Sequence, residues 1–291
     1  VNSSITIKQV IIVGAILLLI AFLFTRDIKG LVKPAEHNGN AGAASGQMAQ
    51  NPAATSGLTL ANASEAGKSA ISKGLGKDII ILEKKYQSAS GNEKVDLAKK
   101  LAQKWDDVEQ ITPSAMYLEV VAENEPTAVN WVKTGDAFMK AYDRTQDSLA
   151  QPSLLTKANM SFKNALAKDS TNLDAKTGLG STIVNGLGMP MQGIAMLLDV
   201  VNKQPNNIKA NMNLGLFSIK SGQFDKAIPR FKTVIATSPT PEAYFYLATA
   251  YENLDRNKEA IAAYLESKKL AADPSLASFI DKKVTELKNK S

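Results

Sequence analysis

Apolar and polar positions divide the chain into three regimes. From Val10 to Phe24 (VIIVGAILLLIAFLF) every residue is apolar or Gly, and back to Ile5 the run is broken only by Lys8 and Gln9. With that extension it reaches the ~20 residues that a helix needs to cross a bilayer, the lysine snorkelling to the interface. No small-x-small cleavage signal follows; Thr25-Arg26-Asp27 comes next. The run therefore predicts an uncleaved transmembrane anchor at 10–24 behind a short tail, 1–9. Residues 25–66 follow as a basic flank and then an Ala-, Gly-, Asn-, Ser- and Gln-rich stretch without periodicity, which predicts a flexible tether. Such a coil spans on the order of 30 Å. Beyond it the period becomes helical. Leading helices are expected over 67–94, marked by Ile79, Ile80, Leu82 and Tyr86.

The clearest helical signal is at 207–239. Asn211, Leu214, Gly215 and Ser218 share one helix face, Ala227, Phe231 and Val234 share another, and Ser221-Gly222 supplies the turn between them. Two small residues, Gly215 and Ala227, allow close crossing of the helices, and Phe231 fills the space toward the next hairpin. The same order recurs. Ala102, Ser114 and Pro126 repeat the two intervals of Gly215, Ala227 and Pro239. Trp131, Gly135 and Phe138 are followed by Ala158, Phe162 and Ala165, with 11 extra residues between the small positions, within 142–157. Gly180 and Gly193 with Leu197, then Ala248 and Ala260 with Tyr264, continue it. Units of 95–127, 128–172, 173–207, 208–240 and 241–274 result. In the last stretch, 275–291, Leu276, Ile280, Val284 and Leu287 form an apolar side and Phe279, Lys283 and Glu286 the opposite, charged side, as in a solubilising cap.

This pattern of large and small residues, closed by Pro about 34 residues after its start, resembles the tetratricopeptide repeat (TPR) family. The resemblance covers about 95–274 and extends to membrane-anchored bacterial TPR proteins. It implies an all-α solenoid of about five helical hairpins with a C-terminal capping helix, preceded by one transmembrane helix. It also implies a groove lined by the first helix of each hairpin, in which another protein or a peptide segment binds. By register the groove residues are Val132, Asp136 and Met139; Thr177, Ser181 and Val184; Met212, Leu216 and Ile219; and Phe245, Thr249 and Glu252. Met212, Leu216 and Ile219 form an apolar stripe suited to an amphipathic helix or an extended apolar peptide. The cap, the 142–157 insertion or a second copy of the chain would cover that stripe in the competing reading, in which the solenoid is a homo-oligomerisation module.

Charge and chemistry narrow the picture further. The formal charge of +6 is shared between residues 1–33, at +3, and all the rest, also +3, so no nucleic-acid partner is expected. With no Cys, thiol chemistry and disulfides are excluded, and the one His, His37, lies in the low-complexity tract. The glycines of GLGSTIVNGLG (178–188) follow no strand and occupy crossing and turn positions, not a phosphate loop. Asp106, Asp107 and Glu109 read as a solvated acidic face. No metal, cofactor or catalytic residue is expected, and the protein reads as a non-enzymatic scaffold. Arg26, Lys29 and Lys33 after the apolar run favour a cytoplasmic solenoid, whereas a short tail before one span favours export. The expectation is a single-pass inner-membrane protein with its soluble domain on the extracytoplasmic side.

Overall fold

The computed structural model describes residues 58–289, which lie within a compact unit of 51–291. The tail 1–9, the expected anchor 10–24 and the tether as far as residue 57 lie outside the described residues. Among the described residues there are thirteen α-helices and no strand. None of those helices is long and apolar enough to cross a membrane.

Helices α1 (Leu60–Ala70) and α2 (Lys73–Ser88) precede five antiparallel hairpins. These are α3/α4 (Gly91–Asp107, Ile111–Asn124), α5/α6 (Ala128–Arg144, Gln151–Lys168), α7/α8 (Leu173–Val184, Pro190–Lys203), α9/α10 (Ile208–Lys220, Phe224–Thr237) and α11/α12 (Pro241–Glu252, Asn257–Leu270). Helix α13 (Pro274–Asn289) closes the C-terminal end with Ile280, Val284 and Leu287 buried. The fold is an all-α, TPR-like solenoid.

Local chemistry sets the hairpin boundaries. The first helices of units two to five each start at a side-chain cap, Thr127, Asn172, Asn207 or Thr240, whose oxygen accepts from the backbone N–H three residues on. Their second helices start without one and are held by the turn instead. In four of the turns a residue with positive φ precedes an N–H that reaches back to a carbonyl near the end of the first helix: Glu109, Gly186, Gly222 and Asp255. Gly222 takes this conformation, at φ 71°, without the Cβ penalty that Glu109 and Asp255 carry. The second unit departs from the rule. Its additional residues lengthen both helices and leave a loop at 145–150, tied by Asp147 accepting from Leu149 N–H at 2.9 Å.

The small residues work as crossing points. A Cβ on Gly215 would stand 2.7 Å from the Phe231 ring, and one on Gly193 would stand 2.5 Å from the carbonyl oxygen of Gly180. In the first unit the Ser114 hydroxyl donates to Ala102 O at 2.8 Å across the α3/α4 crossing. Phe162 is fully buried against both Gly135 and Gly178, so one ring joins α5 to α7. Phe231 stacks on Tyr246 of α11 at 5.8 Å and so joins α9 to the fifth unit.

The N-terminal boundary differs from the sequence expectation of a tether running to residue 66. Residues 60–70 are helical, started by Thr59, whose hydroxyl accepts from Asn62 N–H at 3.1 Å. Ala63, Ala66, Gly67 and Ala70 recur at helical spacing, and the missing side chain at Gly67 makes room for Trp105, whose ring would stand 2.8 Å from a Cβ there. The buried Glu83 of α2 fixes α1 further. Its carboxylate accepts from Ser64 and Tyr117 and pairs with Lys68 at 3.1 Å. Tertiary packing thus makes a helix from a composition that has little apolar surface of its own.

Candidate functional site

The first helices of units two, three and four converge on one cavity of about 390 Å³. Helix α5 brings Asp136, Met139 and Asp143 to it, α7 with its C-cap brings Thr177, Gly178, Ser181, Val184 and Asn185, and α9 brings Lys209, Met212, Asn213, Leu216, Phe217 and Lys220. Phe162 and Tyr246, the rings that join neighbouring units, complete the lining. The glycine socket of Phe162 explains the close approach: with Gly178 and Gly135 receiving that ring, α5 and α7 come near enough for α9 to reach over both.

The polar groups of the cavity are largely engaged with one another. Lys209 spans from α9 to Asp136 of α5 with Nζ 2.7 Å from the carboxylate. Ser181 donates to Asn213 Oδ1 at 2.8 Å, and the Asn213 amide donates to Lys209 O at 2.8 Å. Asn185 accepts from Lys220 Nζ at 3.3 Å. The hydroxyl of Thr177 is spent on Leu173 O at 2.7 Å. Asp143 is exposed by area, yet its surroundings desolvate the carboxyl and raise its pKa, with Lys220 opposing the rise. Between these groups lie the half-buried apolar side chains of Met139, Val184, Met212, Leu216 and Phe217. The arrangement can accept apolar side chains while offering Lys220 and Asp143 at its edge. Among the described residues there is no group of three or more His, Cys, Asp or Glu placed to hold a metal ion.

Seven of the twelve residues expected to line the groove meet in this cavity: Asp136, Met139, Thr177, Ser181, Val184, Met212 and Leu216. Val132 packs instead against the cluster of Trp131, Ala165 and Ala175, and Ile219 lies outside the cavity, although it packs with Met212 and Leu216 against the C-terminal core. Of the remaining three, expected to continue the groove, Phe245 and Glu252 meet the capping helix and Thr249 faces Tyr264. Phe245 meets Tyr264 edge-on at 5.5 Å and Phe279 of α13 at 5.9 Å. Glu252 accepts from the Tyr264 hydroxyl at 2.7 Å and pairs with Lys283 of α13 at 2.9 Å. Thr249 donates to Phe245 O at 3.0 Å. The face of α13 that reads as charged in the sequence supplies both Phe279 and Lys283, so the cap fills this end of the groove.

A second and larger cleft, about 1080 Å³, opens between α1, the α3–α4 turn and the 145–153 segment. Its floor is the small-residue face Ala63, Ala66, Gly67 and Ala70, with Ile111 and Pro113, and at its rim Leu149 is 87% exposed. Sequence reasoning did not find this cleft. Its signal was the i, i+3, i+4, i+7 recurrence of those four small residues, which their low-complexity surroundings concealed.

Comparison with known proteins agrees with this architecture. A tetratricopeptide repeat family model matches residues 241–274, the α11/α12 hairpin. The fold is shared with TTC0263, a thermophilic TPR protein of Thermus thermophilus, at a TM-score of 0.52 and 20% identity, covering 65% of this chain and 97% of that one. It is shared also with PilW, a type IV pilus biogenesis factor, at a TM-score of 0.54 and 17% identity, covering 69% of this chain and 89% of that one. The outer membrane protein assembly factor BamD of Caulobacter vibrioides is 38% identical over 90 residues, which are 24% of this chain and 30% of BamD. The chain thus carries a tetratricopeptide repeat and folds as a TPR-like solenoid, while spanning less than a third of the length of that curated relative.

Proposed function

We propose that this protein is a non-catalytic adaptor that holds a peptide or helix of another protein in the cavity between α5, α7 and α9. The observation that carries the reading is the half-buried apolar wall of Met139, Val184, Met212 and Leu216 beside polar groups already paired with one another. A site whose Lys209, Asp136, Ser181 and Asn213 satisfy each other favours holding a ligand over transforming one. Repeats of this class generally mediate protein–protein contacts, and the 38% identity to an outer membrane protein assembly factor supports a partner-binding role. We propose further that residues 10–24 anchor the chain in the inner membrane with the solenoid on the extracytoplasmic side, so that the partner is gathered near the bilayer.

The test compares crosslinked complexes of the full-length chain with those of M212E/L216E. Loss of a specific partner from the variant, with its helical circular dichroism retained, is the expected result. Equal recovery from both would remove the cavity as the recognition site. The N-terminal cleft is then the second reading, favoured by its size and by the exposure of Leu149, and L149E is the variant that would lose the partner. Mass measured over a range of concentrations separates either reading from self-assembly.

A further inference from the structure

Helix α2 presents a face that neither reading uses. Its inward side, Gly76, Ile79 and Glu83, is buried against α1 and the first hairpin. On the outward side Lys73, Lys77 and Lys84 fall within roughly 40° of one another at 100° per residue, along about 16 Å of helix. Ile80 and Ile81 flank that row, one on each side, 53% and 47% exposed, with Lys85 beyond Ile81. All four lysines are exposed, and none of them is ion-paired among the described residues, whereas Lys68 on α1 is held between Glu65 and Glu83. Asp78 is the one acid on the exposed part of the helix.

We infer that this face docks on an anionic phospholipid surface. Lysines in a row with β-branched apolar side chains beside them match what an interfacial helix needs, with charge for the headgroups and short apolar groups to enter the headgroup boundary. A second copy of the chain fits poorly, because a symmetric contact would set lysines against lysines. Nucleic acid fits less well than lipid, because the face carries two isoleucines and no aromatic ring on which a base could stack. The surface is separate from the partner cavity, so the adaptor reading can fail without it.

Because the chain contains no cysteine, S88C gives a unique labelling site on this face, one turn beyond Lys84. The full-length chain carrying an environment-sensitive fluorophore there is mixed with vesicles of phosphatidylcholine alone, or of phosphatidylcholine with phosphatidylglycerol. Binding to each is measured by sedimentation. The expected result is a blue-shifted, brighter emission on the mixed vesicles only, reversed at high ionic strength. The same fluorophore on L149C, at the cleft, should not respond to the change of lipid. K73E/K77E/K84E should lower binding on the order of a hundredfold or more, since each lysine near an anionic surface contributes roughly fivefold in partition. I80N/I81N should lower it with all charges kept. An emission at residue 88 that is the same on both vesicle types overturns the inference, as does absence of binding to the mixed vesicles. A response to a duplex oligonucleotide that exceeds the response to anionic vesicles overturns it in favour of nucleic acid.

Discussion

Helices α9 and α11 hold the same place in consecutive repeats, yet their equivalent side chains meet different fates. On α9, Met212 and Leu216 pack on one side against the C-terminal core and on the other line an open cavity, whereas on α11, Phe245, Thr249 and Glu252 are engaged by Tyr264 and by the capping helix. Repeat register decides which side chains face the groove. Whether they are free there depends on what stands next to them. A solenoid must close its last apolar face, and α13 closes it by extending Phe279 and Lys283 over the inner side of the fifth unit.

The largest effect that would break this contrast is the loss of the ring between the two regions. Phe231 is fully buried, seated on Gly215 and stacked on Tyr246. Phe231→Ala is expected to cost about 3–5 kcal/mol in denaturant unfolding and to loosen the cavity and the capped end together. If only one of the two regions responded, as read by hydrogen exchange along α9 and α11, this ring would not be what couples them.

The next test compares the two helices directly. Phe245→Ala removes a side chain with three aromatic neighbours and should cost about 2–3 kcal/mol, because the cap cannot collapse onto the space. Met212→Ala, at a half-buried position on an open cavity, should cost about 1 kcal/mol. Partner capture should follow the reverse order, lost with M212E/L216E and kept with F245A. Equal stability costs would mean that the α9 stripe is packed as firmly as the capped end.

How much of this was legible in the sequence follows from which features are local. The glycine–phenylalanine pairs, Gly215 with Phe231 and Gly135 with Phe162, gave the repeat register because a close crossing needs a small residue at a fixed distance from a large one. The groove positions on α5, α7 and α9 followed from that register. The occupancy of α11 did not, since it depends on Phe279, which lies 34 residues from Phe245 and on the side of its helix that looks charged. Helix α1 was illegible for another reason. Its small-residue face is made of Ala and Gly, and Trp105, more than 30 residues later, packs on it at Gly67, while Ala66 and Ala70 stay exposed to the cleft. The larger cleft went unseen with it.

A smaller effect is expected where the cap is held by charge. Glu252 accepts from Tyr264 and pairs with Lys283, and that carboxylate, the leading cause, raises the Lys283 pKa above its ordinary value. A raised lysine contributes stability that is present below its unfolded pKa of 10.5 and lost as pH rises through the folded value. Glu252→Gln should therefore destabilise the chain by about 0.5–1 kcal/mol at neutral pH, the pair being part-buried and still reached by solvent, with the deficit shrinking above pH 10.5. The Tyr264 hydrogen bond fades in the same range, because burial and Glu252 raise that hydroxyl's pKa too, so a deficit that persisted unchanged in strong alkali would mean that neither proton-dependent contact accounts for the loss.

The smallest effect belongs to the open region and has the opposite sign. Desolvation holds the Asp143 carboxyl above its ordinary 3.8, against the pull of Lys220. The folded chain therefore favours the protonated acid, and the ionised form is a cost at neutral pH. Asp143→Asn should stabilise the free protein by well under about 1 kcal/mol, since solvent reaches the group. The gain should shrink as pH falls through the folded pKa and vanish below the unfolded value of 3.8. Thermal unfolding of both proteins between pH 3 and 7 reads the difference. No comparable shift is expected from Thr249 at the capped end, which carries no charge to desolvate. A wild-type protein that is instead more stable than D143N at neutral pH would mean that attraction to Lys220 outweighs burial, and that this side of the cavity is wetter than its walls suggest.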